Sequence, residues 1–350
     1  MELRQCGTSD LTLSALGLGC WEFGGGDYWG ESDQQNVTRI VRRAVDLGVT
    51  YFDTAEAYNE GRSEEFLGNA IKGVPRDRVI VGSKILPSNL YPKILVEHCE
   101  ASLRRLGMDY IDLYMIHWPL HPQSIKFFTK DETVVKHPPT LEQAVPALLK
   151  FQEQGKIRYL GLSNFGVPRF EEIARLGGRY VVNQLGYSLL TRAPEIEIFP
   201  YCKERGVGVI AYMVLMQALL TDKYQSFDEM PDWHTRTRHF HCRRSPLCRH
   251  GEEGAEAETW QALTDIRAIA KECGLSTADV ALKWVLANDA VTCALMGTQN
   301  LSRLEANIKA AEEPLPQEII ARLNSVTQPL KTKLGPSLDI FESATNDRTR

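Results

Sequence analysis

The chain has 350 residues, 43% of them apolar and 24% charged, the balance of a soluble globular protein rather than a disordered, collagen-like or disulfide-scaffold chain. Forty basic against 45 acidic side chains leave a net charge of −5, the wrong sign for a protein whose main partner is DNA or RNA. The longest apolar run, Val207 to Leu220 with Gln217 breaking it, is too short to span a bilayer. The opening Met1-Glu2-Leu3-Arg4-Gln5 has no signal-peptide core. Eight cysteines lie scattered without a Cys-x-x-Cys pair, which points to reduced thiols in a cytoplasmic protein.

One pattern recurs along the chain: a short apolar run, a polar turn, then an amphipathic stretch. The runs are 16–18, 49–52, 78–81, 111–116, 157–162, 181–185, 207–211 and 291–296. Helices are predicted over 34–47, 92–106, 140–154, 168–176, 196–205 and 259–273, with Ser276 capping one that ends near Asn288. Eight strands alternating with helices predict one closed (β/α)8 barrel, and nearly continuous apolar runs suit parallel strands buried on both faces. A doubly wound sheet would want G-x-G-x-x-G after a strand, and the glycines at 17, 19 and 24–26 fall out of that register. Ahead of the first strand, Leu3–Gln5 and Leu11–Leu13 flank a Gly7/Asp10 turn, a hairpin placed to plug the barrel bottom. The barrel is taken as residues 1–330, with 331–350 a tail and extended loops on the C-terminal rim.

Barrel chemistry sits at the C-terminal strand ends. Strand two ends at Asp53 with Tyr58 five residues on, strand three at Lys84, and strand four at His117. Each has an ordinary structural role open to it alone. Together they bring a carboxylate, an ammonium, an imidazole and a phenol to one rim. The ammonium favours phenolate, the carboxylate holds the ammonium, and the imidazole orients a carbonyl oxygen. The set makes an acid that protonates an alkoxide as a hydride arrives.

Longer strings carry a family likeness. They are Asp53-Thr-Ala-Glu-Ala-Tyr58, Gly61-Arg-Ser-Glu-Glu-Phe-Leu-Gly68, Ser102-Leu-Arg-Arg-Leu-Gly-Met-Asp-Tyr-Ile-Asp-Leu-Tyr-Met-Ile-His117 and Gly155-Lys-Ile-Arg-Tyr-Leu-Gly-Leu-Ser-Asn-Phe165. In these the chain resembles an aldo-keto reductase over nearly its whole length. The resemblance implies a (β/α)8 barrel that reduces an aldehyde or ketone, sugar-derived carbonyls included, with NADPH, NADH being a second choice. It implies a tetrad of Asp53, Tyr58, Lys84 and His117 with Tyr58 as general acid. Two other functions are open: an NAD-linked polyol or sugar dehydrogenase, and a non-catalytic cofactor-binding subunit that senses redox state.

The resemblance also implies a cofactor groove. Ser163, Asn164 and Gln184 would hold the carboxamide, and Tyr187 would stack on the nicotinamide. The pyrophosphate stretch, usually rich in Ser, Pro and Gly, reads Ala211-Tyr-Met-Val-Leu-Met-Gln-Ala-Leu-Leu-Thr-Asp-Lys223 here. Of that motif Lys223 remains. After the last strand, Gly297, Thr298, Arg303 and Asn307 match the adenosine site, with Arg303 set for a 2′-phosphate, while a frequent Arg is replaced by Gln299.

Residues 234–250 hold five Arg and four His without an acid, and Cys242 and Cys248 lie among them. Three readings stand: a lid whose guanidiniums meet phosphates, a loop paired with the acids of 252–258, or a zinc site with unusual Cys spacing. No metal is expected. Trp21, Trp29 and Trp118 are candidates for the substrate wall. The expected partner is a small carbonyl compound rather than nucleic acid or membrane.

Overall fold

The structure, a computed structural model, describes all 350 residues. A hairpin of β1 (Leu3–Gln5) and β2 (Thr12–Ser14) comes first. Strand–helix units follow: β3 (Leu16–Gly19), α1 (Gln34–Asp46), β4 (Tyr51–Asp53), α2 (Arg62–Ile71), β5 (Ile80–Ile85), α3 (Pro92–Leu106) and β6 (Ile111–Ile116). The loop after β6 contains α4 (Pro122–Phe128) and α5 (Glu132–Lys136), ahead of α6 (Leu141–Glu153). The chain continues with β7 (Ile157–Ser163), α7 (Val167–Ala174), β8 (Tyr180–Gly186), α8 (Ile198–Arg205), β9 (Gly208–Tyr212), α9 (Glu256–Glu272) and α10 (Thr277–Leu286). It ends with β10 (Val291–Met296), α11 (Leu301–Glu312) and α12 (Gln317–Leu334). Strands β3 to β10 pair in parallel in chain order, and β10 returns to β3 to close the barrel. No helix is long and apolar enough to cross a membrane.

Local chemistry accounts for the elements. Asp33 caps α1 by accepting from the amides of Gln35 and Asn36, and Val37, Ile40, Val41 and Ala44 form its buried stripe. Pro92 opens α3 and Gly107, left-handed at φ 64°, closes it. Ser276 and Asp279 cap α10 reciprocally. Helices α2, α4, α5 and α12 lie outside the sequence expectation. Helix α12 runs past residue 331 and stops at Gly335.

Alternate side chains of each strand point inward. Tyr51, Leu113, Met115, Val182, Ile210 and Cys293 fill the interior, and Cys6, Leu11 and Leu13 of the hairpin close its bottom as expected. The same parity carried two residues further brings Asp53, His117, Gln184 and Tyr212 to the upper rim, with Lys84 and Ser163 in step.

The Tyr51 ring needs space that two glycines provide. A Cβ on Gly17 or Gly82 would run into that ring, at Gly82 into its hydroxyl. Gly82→Ala is therefore expected to cost about 1–3 kcal/mol, the usual range for overpacking. Activity should fall as well, because the displaced hydroxyl is a partner of Asp53. Thermal melts with a rate assay check both; an alanine that leaves stability and rate at parental values would exclude the close approach.

Candidate active site

The deepest part of the rim is an ion pair. Lys84 is fully buried, and its Nζ donates to Asp53 Oδ1 at 2.6 Å, the Thr54 carbonyl at 2.8 Å and the Tyr58 hydroxyl at 3.1 Å. An ammonium has three protons, and all three are used. Asp53 Oδ2 accepts from Tyr51 Oη at 3.0 Å and Gln184 Nε2 at 2.7 Å. Burial pulls the Lys84 pKa down, but Asp53 and Tyr58 outweigh it and the net direction is up, so the ammonium stays charged.

Tyr58 departs from expectation in its electrostatics. Burial lifts its pKa and Asp53 adds to the rise, while Lys84 pulls the other way and loses. The phenol thus keeps its proton, as a proton donor must. His117 is held well below the usual imidazole pKa, by burial first and Lys84 second, and is neutral. Its Nδ1 is buried with no partner, and its ring meets Tyr58 edge-on at 5.6 Å. Past Tyr58, Asn59 and Glu60 are left-handed at φ 50° and 58°. Asn59 Nδ2 ties this turn to the carbonyls of Trp21 and Phe23 at 2.9 and 2.7 Å.

The three carboxamide candidates also converge. Asn164, at φ 66°, donates to the His117 carbonyl at 3.0 Å and Ser163 Oγ at 3.1 Å, and its amide N–H meets the Gln184 carbonyl. Its Oδ1 accepts from Tyr212 Oη at 2.6 Å. Tyr187 is a correction. It is fully buried among Phe199 and Trp284, with its hydroxyl on Glu195 and Asn288. Strand parity is the reason: Gln184 faces inward, so Leu185 and Tyr187 face the helices. The aromatic ring on the rim is Tyr212, which the same parity count from Ile210 would have found.

The adenosine end is mixed. Arg303 is exposed without an acidic partner, and Asn307 is half-buried on the same helix. Thr298 Oγ1 is spent within its own turn, accepting from Asn300 N–H at 3.0 Å. Gln299 is tied to Ser32, Asn36 and the Glu22 carbonyl. Lys223 is exposed and lies over its neighbour Tyr224. Glu22, outside the sequence expectation, overhangs Gly297, with Oε1 3.0 Å from where a Cβ there would stand. Burial pushes its carboxyl up to about 7, with Arg303 and the Gln299 amide only partly offsetting.

Trp21 contacts Tyr28, Trp29 and Tyr58 at centroid distances of 4.7, 5.2 and 5.9 Å, a wall beside the phenol. Trp118 is buried instead, under the Arg348 guanidinium at 3.8 Å. Arg348 is paired twice with Asp339, and the Thr349 carbonyl accepts from Gly166 N–H at 2.9 Å, so the tail lies across this side of the rim.

The basic segment spends its charge on the protein. Arg238 pairs with Glu252, Arg244 with Glu256 and Asp228, and Arg249 with Glu342. Arg236 lies over the Tyr28 and Phe341 rings. Three of the five arginines are thus paired within the protein, while Arg236 and Arg243 have no acidic partner. Cys242 and Cys248 are joined as a disulfide, a departure from the all-reduced expectation. The turn that brings the two sulfurs together also brings up His250, and the ligand atoms of Cys242, Cys248 and His250 lie within 4.8 Å of one another. The other six cysteines are free.

A closed barrel with this rim is built for redox chemistry at a carbonyl. The family model for the aldo/keto reductase family matches residues 15–328, and the chain belongs to that family. The NADH-specific methylglyoxal reductase of Escherichia coli K12 is 32% identical over 343 residues, 91% of this chain and 98% of the relative. A Schizosaccharomyces pombe protein named a putative voltage-gated potassium channel subunit beta is 29% identical, over 92% of each. A Klebsiella pneumoniae aldo-keto reductase solved in complex with NADPH matches 93% of this chain and 96% of its own at TM-score 0.68 and 26% identity.

Two stability predictions follow from the groove. Met213, Met216, Gln217 and Ala218 are left-handed without being glycine, Ala218 at φ 71°, a conformation that costs roughly 1–2 kcal/mol per residue. Ala218→Gly is expected to stabilise by about 1 kcal/mol after glycine's own entropy cost; an unchanged or lower melting point counts against the strain. For Glu22, the folded-state pKa of about 7 lies above the ordinary 4.5. The native state therefore binds the extra proton, and stability is lost as pH rises between those values, by roughly 3 kcal/mol in all. Melting curves of parent and Glu22→Gln should coincide at the acid end of that window. They should separate, with the variant more stable, above it.

Proposed function

We propose that this protein reduces a small aldehyde or ketone, of the size of methylglyoxal, with a nicotinamide dinucleotide, Tyr58 being the proton donor. The observation that carries this is the saturated Lys84–Asp53 pair with its third ammonium proton on a protonated, buried phenol. Ser163, Asn164 and Gln184 offer a neutral amide both donors and acceptors, and Tyr212 offers a ring face. Asn307 and the unpaired Arg303 lie on the helix after β10. The donor set, with the orphaned His117 Nδ1, fits a nicotinamide dinucleotide. When bound, it supplies the hydride.

The rest is the work of the side chains. Neutral His117 donates to the carbonyl oxygen and points it at Tyr58. Tyr58 gives its proton to that oxygen as negative charge builds there. Lys84 stabilises the phenolate left behind, and Asp53 keeps Lys84 charged and in place. Trp21 and Trp29 wall the substrate. Arg303 supplies a cation for a 2′-phosphate, but Gln299 and Thr298 are tied down and add nothing, so NADPH is accepted without being required. The names of the Escherichia coli and Klebsiella proteins support both nucleotides. The alternative of a non-catalytic subunit has only the Schizosaccharomyces name behind it, and the assembled tetrad argues for turnover.

The test is a screen of short carbonyls and sugars with each cofactor, followed by nicotinamide absorbance. Tyr58→Phe should lower turnover about 10²- to 10⁴-fold, the range for a lost general acid, with nucleotide affinity nearly unchanged. Turnover within threefold of the parent would sink the assignment. With His117 neutral throughout, no imidazole step should appear in the rate between about pH 6 and 8.

A further inference from the structure

The loop after β3 puts a carboxylate where the groove is expected to take up the adenosine. Glu22 is half-buried, and no cation stands within ion-pair distance of it. It faces the Gln299 side-chain amide, with Arg303 further off. Its Oε1 overhangs Gly297, whose lack of a side chain leaves that space open. Asn300 caps α11 just beyond, accepting from Arg303 N–H at 3.0 Å. Charge in such a place costs stability, and Arg303 and the Gln299 amide repay it only in part.

A carboxylate accepts hydrogen bonds and cannot donate them. Vicinal ribose hydroxyls offer two donors and would satisfy it. Above pH 7, where Glu22 is ionised, a phosphate monoester in their place adds about −2 charge beside an existing −1. One cation, Arg303, would then have to serve both. The neighbouring position, Gln299, is neutral and already held by Ser32, Asn36 and the Glu22 carbonyl.

We infer that Glu22 is a specificity-determining residue for the nucleotide: it accepts from the adenosine ribose hydroxyls and repels a 2′-phosphate, so that NADH binds more tightly than NADPH. The inference rests on the nicotinamide reading above.

The experiment measures dissociation constants of parent and Glu22→Gln for NADH, NADPH, adenosine 5′-monophosphate and adenosine 2′,5′-bisphosphate, by titration without a carbonyl substrate. The parent should bind NADH more tightly than NADPH. Glu22→Gln should tighten NADPH and the 2′,5′-bisphosphate about tenfold or more, since juxtaposed like charges are costly. NADH and the 5′-monophosphate should instead weaken, by about tenfold or less, because a neutral amide oxygen is a poorer acceptor of the ribose hydroxyls than a carboxylate. A parent that prefers NADPH overturns the inference, as does a variant that tightens all four ligands alike, which would place the carboxylate against the shared phosphates. A variant with no effect on any ligand overturns it too. Failure of the parent to bind either dinucleotide would overturn the reductase reading itself, and is a distinct result from the other three.

Discussion

A lysine ammonium with no access to water keeps its charge only beside a carboxylate, and much of the rim follows from that constraint. Lys84 needs Asp53, and removing one partner of a buried pair typically costs about 3–5 kcal/mol because the other charge is stranded. Asp53 in turn needs its second oxygen satisfied, which draws in Tyr51 and Gln184. Tyr51 fits only because Gly17 and Gly82 stand back from its ring. Four strands, β3, β4, β5 and β8, are thus committed, by packing as much as by charge, to presenting one proton to Tyr58.

The two ends of the groove differ in how far the protein satisfies itself. At the catalytic end the ammonium and the carboxylate beside it are fully partnered. At the nucleotide end Glu22 and Arg303 are unpaired, and four non-glycine residues of 213–218 are left-handed. Strain and unmet polarity persist where a ligand is to complete them. The catalytic end keeps a smaller share of both: His117 Nδ1 has no partner, and Asn59, Glu60 and Asn164 are left-handed.

Much of this was legible in the residues. The eight strands and their rim chemistry follow from apolar runs that end in Asp53, Lys84 and His117. Helix α2 was not legible, for a physical reason. Its buried face includes Ser63 and Glu64, which hydrogen-bond to Thr54 and Ser83, so apolar periodicity has little to report there. Tyr187 shows where family likeness and strand parity disagree: parity from Gln184 sends its ring outward to Phe199 and Trp284. Glu22 was invisible, since a single acid in a loop after a strand carries no pattern; its meaning lies in Gly297 and Arg303, far along the chain. The pairing of the basic segment depended likewise on distant partners, Asp228 and Glu342 among them.

Asn59 joins two parts of this machinery. It directly follows Tyr58, the proposed proton donor, and its side-chain amide grips the carbonyls on either side of Glu22. The left-handed turn that sets Tyr58 is therefore anchored on the loop that would greet the nucleotide. The two hydrogen bonds hold the turn and the loop in one register, and with them in place the Lys84–Tyr58 hydrogen bond is already formed.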